Sequence, residues 1–462
     1  MNKTNNFKPA SKTAVELLKS SGFEAFLIGG SVRDFIMGLP IGDIDITTNA
    51  TPTQVKEVFK DFRVIETGIK HGTVTVLIEN ESLEITTYRS ESTYSDNRHP
   101  DSVTFSKSLS DDVVRRDFTM NAIAYDFSDG FCDLVNGIDD IKNQTIRCIG
   151  DAETRFREDA LRILRALRFS SVLGFAIEKN TKSAIHKCKD LLQNISAERI
   201  RGEFVKLICG KNAYAVLQEF SDVVSVFIPE IKPCINFKQE NRHHCFDVYT
   251  HTLKAVEKSN PDAIIRLSLF FHDIAKPLVA HFDEKGEQHY YGHPKKSAEI
   301  TENILTRLRF DNETKNKVVT LVAFHDSPIM VNDKLLPDRK RLKKIMSQIG
   351  TDLIIPLIEV KHCDNSAQSP KYYRGETFYS ETENIINEII TEKECFSLKD
   401  LAINGNDLAE IGYRGKQIGQ MLNSLLNLVI SEKLRNDHTE LYEYAKALNH
   451  NHQLNWWFAQ AL

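Results

Sequence analysis

The sequence predicts an α/β N-terminal head, a mixed sheet with helices, followed by a mostly α-helical neck, body and tail. Three observations carry this expectation. Apolar, β-prone runs recur in the first part of the chain, at 24–28, 73–78 and 83–88. From Asp151 onward the apolar spacing changes to the three-and-four repeat of helices. A composition shift follows near residue 240, and eight of the fifteen histidines fall between His243 and His325.

The 462 residues are 41% hydrophobic and 27% charged, enough for a large core in several domains. No apolar run reaches the roughly 18 residues of a membrane span, and residues 1–18 lack the apolar core of a signal peptide. Eight cysteines without a C-x-x-C pair suit reduced thiols in a cytoplasmic protein rather than a disulfide frame or zinc site. The net charge of -5 excludes a simple polycationic coat but not a local basic stripe for nucleic acid.

In the head, a helix over 12–21 precedes the strand at 24–28, which ends in Gly29-Gly30-Ser31 before a helical segment over 32–37 that carries Arg33. Glycines before a helix offer backbone N–H groups to an anion. Asp43 and Asp45 follow in an apolar run. On a strand, residues two apart share a face, so these carboxylates point the same way. Two carboxylates that close repel unless a cation lies between them, and hard oxygen ligands suit Mg²⁺ with substrate phosphates. Thr51-Pro52 starts a helix, and residues 79–82 turn between two alternating strands. Glu84, on the second of these, is either a third acidic group for the pair or an exposed edge residue. A long polar loop spans 90–110. Arg115, Arg116, Asp117 and Asn121 then stand close together: arginines fork onto phosphates, and Asp or Asn can meet a sugar.

The neck helix is expected to run through 155–169, with Asp159, Arg162, Arg165 and Arg168 every three residues along one drifting side. Such a row is either a charged outer face or an edge of donors and acceptors for a nucleotide base. Further on, His251, His272-Asp273, His293, His325 and Asp364 supply imidazole and carboxylate ligands for a divalent metal. Glycine turns at 404–419 enter a helix over 417–430; they serve either as RNA-backbone contacts or as ordinary caps.

These motifs resemble the class II tRNA nucleotidyltransferases (CCA-adding enzymes) and the related bacterial poly(A) polymerases, with a domain similar to the HD phosphohydrolases. The resemblance spans almost the whole chain. It implies a nucleotidyltransferase head over 1–149, a neck binding RNA and nucleotide over 150–240, an HD domain over 241–366 and a tRNA-binding tail over 367–462. It further implies catalytic Asp43 and Asp45 on Mg²⁺ with Glu84 beside them. Gly29, Gly30, Ser31, Arg33, Arg115, Arg116, Asp117 and Asn121 would bind nucleotide, and Asp159 and Arg162 would read the base, with Arg165 and Arg168 as further contacts. Asp96 and Arg98 belong to a flexible loop that looks complete. His251, His272, Asp273 and Asp364 fit the H, HD, D metal pattern, and His293 and His325 fit positions that hold a second metal in some members. The implied activity is template-independent CCA addition to tRNA from CTP and ATP. An A-adding specialist, a poly(A) polymerase, and a phosphohydrolase with a degenerate head are the alternatives.

Overall fold

A computed structural model describes residues 7–66, 68–69, 72–91, 103–330 and 336–460. Asp96 and Arg98 lie outside the described residues. The chain divides into two compact units, Met1–Lys232 with Arg307–Phe310, and Pro233–Thr306 with Asp311–Leu462.

The first unit begins with α1 (Pro9–Ser20), β1 (Ala25–Ile28), α2 (Gly30–Ile36), β2 (Ile44–Thr48), α3 (Pro52–Val58), β3 (Arg63–Ile65), β4 (Thr73–Ile78) and β5 (Glu81–Thr87). A separate hairpin, β6 (Arg89–Glu91) with β7 (Val103–Phe105), leads to α4 (Leu109–Val114), β8 (Ala124–Asp126), β9 (Gly130–Cys132) and α5 (Gly137–Lys142). Seven strands form one sheet in the order β3-β4-β5-β2-β1-β8-β9. Within this sheet, among the described residues, only β2 and β5 pair in parallel, so the sheet is mixed, as expected.

Local chemistry explains these elements. Thr51 caps α3 through a capping box with Gln54, and Pro52 supplies a preset φ in the first turn. The turn after β4 is tighter than expected: Glu79 and Asn80 both take positive φ, 50° and 65°, which matches a two-residue hairpin and extends β5 back to Glu81. Leu27, Ile46, Val74, Val76 and Ile85 are fully buried, the inward half of the alternation seen in the sequence.

β10 (Thr145–Ile146) and β11 (Ala176–Ile177) pair in parallel around α6 (Ala152–Glu158) and α7 (Leu161–Leu173). Next come α8 (Lys179–Cys188), α9 (Ala197–Ile208), α10 (Ala213–Glu219) and α11 (Ser221–Phe227). The continuous helix expected over 155–169 is broken. Asp159 has φ -138° and ψ 102°, and its Oδ1 accepts the Leu161 N–H at 3.1 Å to start α7. An aspartate that can cap the following turn stabilises the break.

In the second unit come α12 (Val248–Lys258), α13 (Ala263–Phe271), α14 (Lys276–Val279), the hairpin β12 (His281–Phe282) with β13 (Gln288–His289), α15 (His293–Arg307), α16 (Asn312–Phe324), α17 (Arg339–Ile349) and α18 (Thr351–Ser366). Asp247, Asp262 and Asp311 cap α12, α13 and α16 through their carboxylates. The chain ends with α19 (Glu376–Thr391), α20 (Gly405–Glu410), α21 (Lys416–Ile430) and α22 (His438–Gln460). Leu408, Leu425, Leu441 and Ala445 are at the centre of a separate core here. Asn404 forms a capping box with Asp407, so the 404–408 turn has the ordinary capping role. Among the described residues, no helix is long and apolar enough to cross a membrane.

Candidate active site

Asp45 sits on β2, paired with Ile28 of β1 on one side and Glu84 of β5 on the other. Asp43 lies one residue before the strand and is exposed, so the shared-face argument applies only approximately to it. Burial pushes the Asp45 carboxyl up to about 6; Glu84 and Asp43 push the same way, against the pull of Arg116. The three carboxylates are thus close enough to repel, and a cation would relieve them. Gly29, at φ +85°, is required here on two counts. The positive φ disfavours any side chain, and a Cβ would stand 3.0 Å from Asp45 Oδ2.

A cavity of about 250 Å³ opens beside Asp45. Gly29, Gly30 and Arg33 line it from α2 and its turn, Arg116, Asp117 and Asn121 from the segment after α4, and Arg165, Arg168 and Phe169 from α7. Four guanidinium groups in so small a space suit a polyanion. Burial lowers the Arg168 guanidinium below its ordinary value, and Arg165 and Arg33 add to this against the pull of Glu203. The remaining partners fix the geometry. Asp117 Oδ2 accepts from Arg165 Nε at 2.8 Å, and Asp117 Oδ1 accepts the Phe118 N–H at 2.8 Å. Arg33 Nη1 donates to Asn121 Oδ1 at 2.8 Å, and Arg33 Nε and Nη2 to Asp34. Ser31 is buried, its hydroxyl turned to the Ile28 carbonyl.

Arg115 does not line the cavity. It shares fully buried Asp112 with Arg116: Arg115 Nε binds Asp112 Oδ1 at 2.9 Å and Arg116 Nη2 binds Asp112 Oδ2 at 2.8 Å, while Thr47 donates to Oδ2 at 3.0 Å. Burial alone would raise Asp112, but Arg116 and Arg115 hold its carboxyl below the ordinary value. Asp112 was missed in the sequence, although its spacing of three and four residues before the two arginines is a legible signal. Phe169 was missed as well: the guanidiniums of Arg33, Arg165 and Arg168 stand 5.2, 5.6 and 4.0 Å from its ring centroid.

Asp159 and Arg162 lie outside the cavity and are already engaged. Asp159 Oδ2 accepts from Arg199 Nη2 of α9 at 2.9 Å. Arg162 Nη1 donates to Glu158 at 2.7 Å, and its Nη2 donates to the Arg115 carbonyl at 2.9 Å, linking the neck to the paired arginines. Because of the break at Asp159, the four residues do not form one helical row. A larger cavity of about 470 Å³ is lined by Arg147, Glu178 and Lys187. Its charges are already paired, Arg147 with Asp140 and Glu178, and Lys187 with Glu153, so it offers no comparable anion site.

The second unit brings the predicted ligands together. One potential ligand atom from each of His251, His272, Asp273 and Asp364 lies within 4.8 Å of the others; Asp273, His293 and His325 form a second such group. His272, His293 and His325 each turn Nδ1 to the carbonyl three residues earlier, at 2.6, 2.8 and 2.7 Å, and His251 Nδ1 faces the Ala367 carbonyl. With Nδ1 so anchored, Nε2 faces the cluster, the usual outer-shell arrangement of metal-binding histidines. Burial would raise the carboxyls of Asp273 and Asp364, but the imidazoles around them, and Lys276 beside Asp273, hold both well below the ordinary range. His272 Nε2 and both Asp273 oxygens are buried without a hydrogen bond of acceptable geometry. The donor set therefore fits a divalent cation. Lys276, which follows His272-Asp273 in the sequence, was not expected here; its Nζ is buried 2.6 Å from Asp273 and 2.9 Å from Gln239.

Three family models match the chain. They are the poly A polymerase head domain over residues 25–147, the RNA- and SrmB-binding site of polymerase A over 174–234, and tRNA nucleotidyltransferase domain 2 over 294–445. The chain is 36% identical to the CCA-adding enzyme of Lactobacillus helveticus over 445 residues, which cover 94% of this chain and 96% of that protein. It is 34% identical to the CCA-adding enzyme of Leuconostoc citreum over 443 residues, 95% of each. Among solved structures it is similar to the Bacillus stearothermophilus CCA-adding enzyme in complex with CTP, at TM-score 0.71 and 26% identity, over 97% of this chain and 100% of that one. The Thermotoga maritima CCA-adding enzyme complexed with tRNA shares the fold at TM-score 0.57 and 18% identity, over 96% of each chain. With the first two relatives above 30% identity along nearly their whole length, the chain belongs to the class II CCA-adding enzymes.

Proposed function

We propose that this chain adds CCA to the 3′ end of tRNA from CTP and ATP, without a nucleic-acid template and with release of pyrophosphate. The cavity carries the proposal: Asp45, with Glu84 and Asp43 near enough to raise its carboxyl, stands against a cradle of glycines and guanidiniums, which suits a nucleoside triphosphate. Asp43 and Asp45, with Glu84 beside them, would hold Mg²⁺, which when bound lowers the pKa of the 3′ hydroxyl and neutralises triphosphate and leaving pyrophosphate. The 3′ oxygen bonds to the α-phosphorus, the bond to the β-phosphate breaks, and the hydroxyl proton passes to solvent. Gly29 and Gly30 allow the phosphates to approach the backbone, and Arg33, Arg116, Arg165 and Arg168 hold them. Asp117 and Asn121 face the ribose. Catalysis rests on positioning and electrostatics.

Asp159 and Arg162 choose the base, which requires Asp159 Oδ2 to leave Arg199 and Arg162 to turn from Glu158 or the Arg115 carbonyl. Asp159→Ala is expected to blur C against A by roughly tenfold or more, the size of one lost hydrogen-bond pair, while slowing chemistry less. Sequencing the products from CTP and ATP mixtures checks this; unchanged base choice counts against the template role. In this reading the first unit holds the head (1–149) and most of the neck (150–240), and the second holds the end of the neck, nearly all of a metal-dependent hydrolase region (241–366) and a tRNA-binding tail (367–462).

The buried imidazole–carboxylate cluster supports a second activity, HD-type hydrolysis of a phosphoester such as a cyclic phosphate or an RNA end. His251, His272, Asp273 and Asp364 would hold a divalent metal, with His293 and His325 toward a second, and a bound metal would supply an activated water. Lys276 holds Asp273 in place. Asp273→Ala is expected to remove phosphoesterase activity and leave CCA addition within about twofold, since the two sites share no side chain. Steady-state rates for both reactions on one preparation check this; phosphoesterase activity that persists in Asp273→Ala overturns the assignment.

A further inference from the structure

The hairpin β12–β13 and the residues just after it expose an aromatic cluster for which the reading above has no use. Tyr291 is 73% exposed and Phe282 56% exposed, unusual for large rings. The Tyr291 ring stacks on His289 at 5.4 Å and an interplanar angle of 4°, and His281 lies 5.0 Å from Tyr291 and 5.8 Å from His289. His289 is fixed from below by Asp283, which accepts from its Nε2 at 3.0 Å. One side of a preordered stack is thus left to solvent.

Its place in the chain ties it to the metal cluster at both ends. α14 begins at Lys276, which touches Asp273, and leads directly to His281. Tyr291 is separated from His293 by Gly292 alone. Tyr290 and Tyr291 face opposite ways. Tyr290 is buried, its ring 5.1 Å from Lys276 Nζ and its carbonyl the acceptor of His293 Nδ1; Tyr291 faces out. Lys295 and Lys296 are exposed in the first turn of α15, where Lys296 pairs with Glu299 at 2.9 Å, and Lys285 is exposed in the hairpin turn among Asp283, Glu284 and Glu287. The hairpin's own Glu287 faces Arg242 at 3.7 Å. Flat rings with one open face suit stacked bases.

We infer that Tyr291, supported by His289 and His281, is a stacking platform for a base of single-stranded RNA whose terminal phosphoester enters the cluster of His251, His272, Asp273 and Asp364. The inference rests on the HD reading for the reaction but not for the binding.

Tyr291→Trp in the full chain gives a direct probe. With metal removed by chelator, a five-residue oligoadenylate should quench the added tryptophan fluorescence, read as the difference from the wild-type chain titrated in parallel. In the metal-loaded enzyme, Tyr291→Ala should raise KM roughly tenfold for an oligoadenylate ending in a 2′,3′-cyclic phosphate, the worth of one stacked base. Tyr291→Phe should restore it, and kcat/KM for mononucleotide 2′,3′-cyclic AMP should not change. Failure of both substrates to react with the wild-type chain overturns the HD reading alone, because the quench still tests the platform. Absence of a quench, with melting unchanged, overturns the platform, as does a signal that depends on protein concentration without RNA, which would mean a second copy of the chain covers this face.

Discussion

Replacing Asp45 with asparagine is expected to lower nucleotide addition by roughly a thousandfold or more, the scale of losing a group that stabilises charge in the transition state. The same substitution should stabilise the metal-free protein. Burial, with Glu84 and Asp43, raises the Asp45 carboxyl from 3.8 to about 6. A carboxyl raised on folding favours the folded state below pH 3.8, and that contribution is lost as pH rises through 6. Above pH 6 the wild-type chain therefore carries a charge that costs on the order of 3 kcal/mol, which the neutral amide avoids. In chelator at pH 7.5, Asp45→Asn should melt above wild type, and the difference should vanish toward pH 4. Added Mg²⁺ should raise the wild-type melting temperature and leave the variant unmoved. A variant that melts lower in chelator, or keeps wild-type turnover, contradicts the cation-binding role.

The second large effect is expected at Asp112. Its carboxylate is fully buried and accepts from Arg115, Arg116 and Thr47. Asp112→Asn removes the charge that two guanidiniums face, and breaking such a pair costs about 3 kcal/mol. Because the folded carboxyl is held below its ordinary value, its contribution is present above pH 4 and fades as pH falls through the lowered value. The loss of stability should therefore shrink in acid. Arg116 lines the cavity, so KM should rise roughly tenfold for CTP and ATP alike, as expected when a supporting contact loosens a binding group. Base choice should change less than KM, since Asp159 is not part of this network and Arg162 meets it only at the Arg115 carbonyl. Urea unfolding at two pH values and steady-state kinetics measure both effects; an unchanged urea midpoint at pH 7 contradicts the assigned role.

How far the sequence disclosed the site depends on how local each cause is. Asp45 and Glu84 were readable because alternation fixes a strand's faces, and the parallel register of β2 with β5 then set them side by side. Asp43 was placed on that strand, yet lies just before it. The glycine turn was visible, but the reason Gly29 is needed, the approach of Asp45 Oδ2, is a contact between strands. The helix break at Asp159 was not legible: Glu158-Asp159-Ala160 holds no proline or glycine, and Arg199 reaches Asp159 from another helix. Tertiary contacts there override a helical pattern. The histidines were legible as candidate ligands through their pairing with aspartates, whereas the carbonyls that turn their Nε2 atoms inward, and the buried Lys276, depend on the assembled helices.

The most direct measurement supplies the protein and Mg²⁺ with a tRNA transcript lacking its 3′ end, together with CTP alone, ATP alone or both, and sequences every product. Two C residues from CTP alone, a single terminal CCA from both, and no tail from ATP alone are expected if Asp159 and Arg162, outside the cavity, select the base for a reaction at Asp45 within it. Runs of A from ATP alone, or addition of A only to transcripts already ending in CC, would contradict full CCA addition.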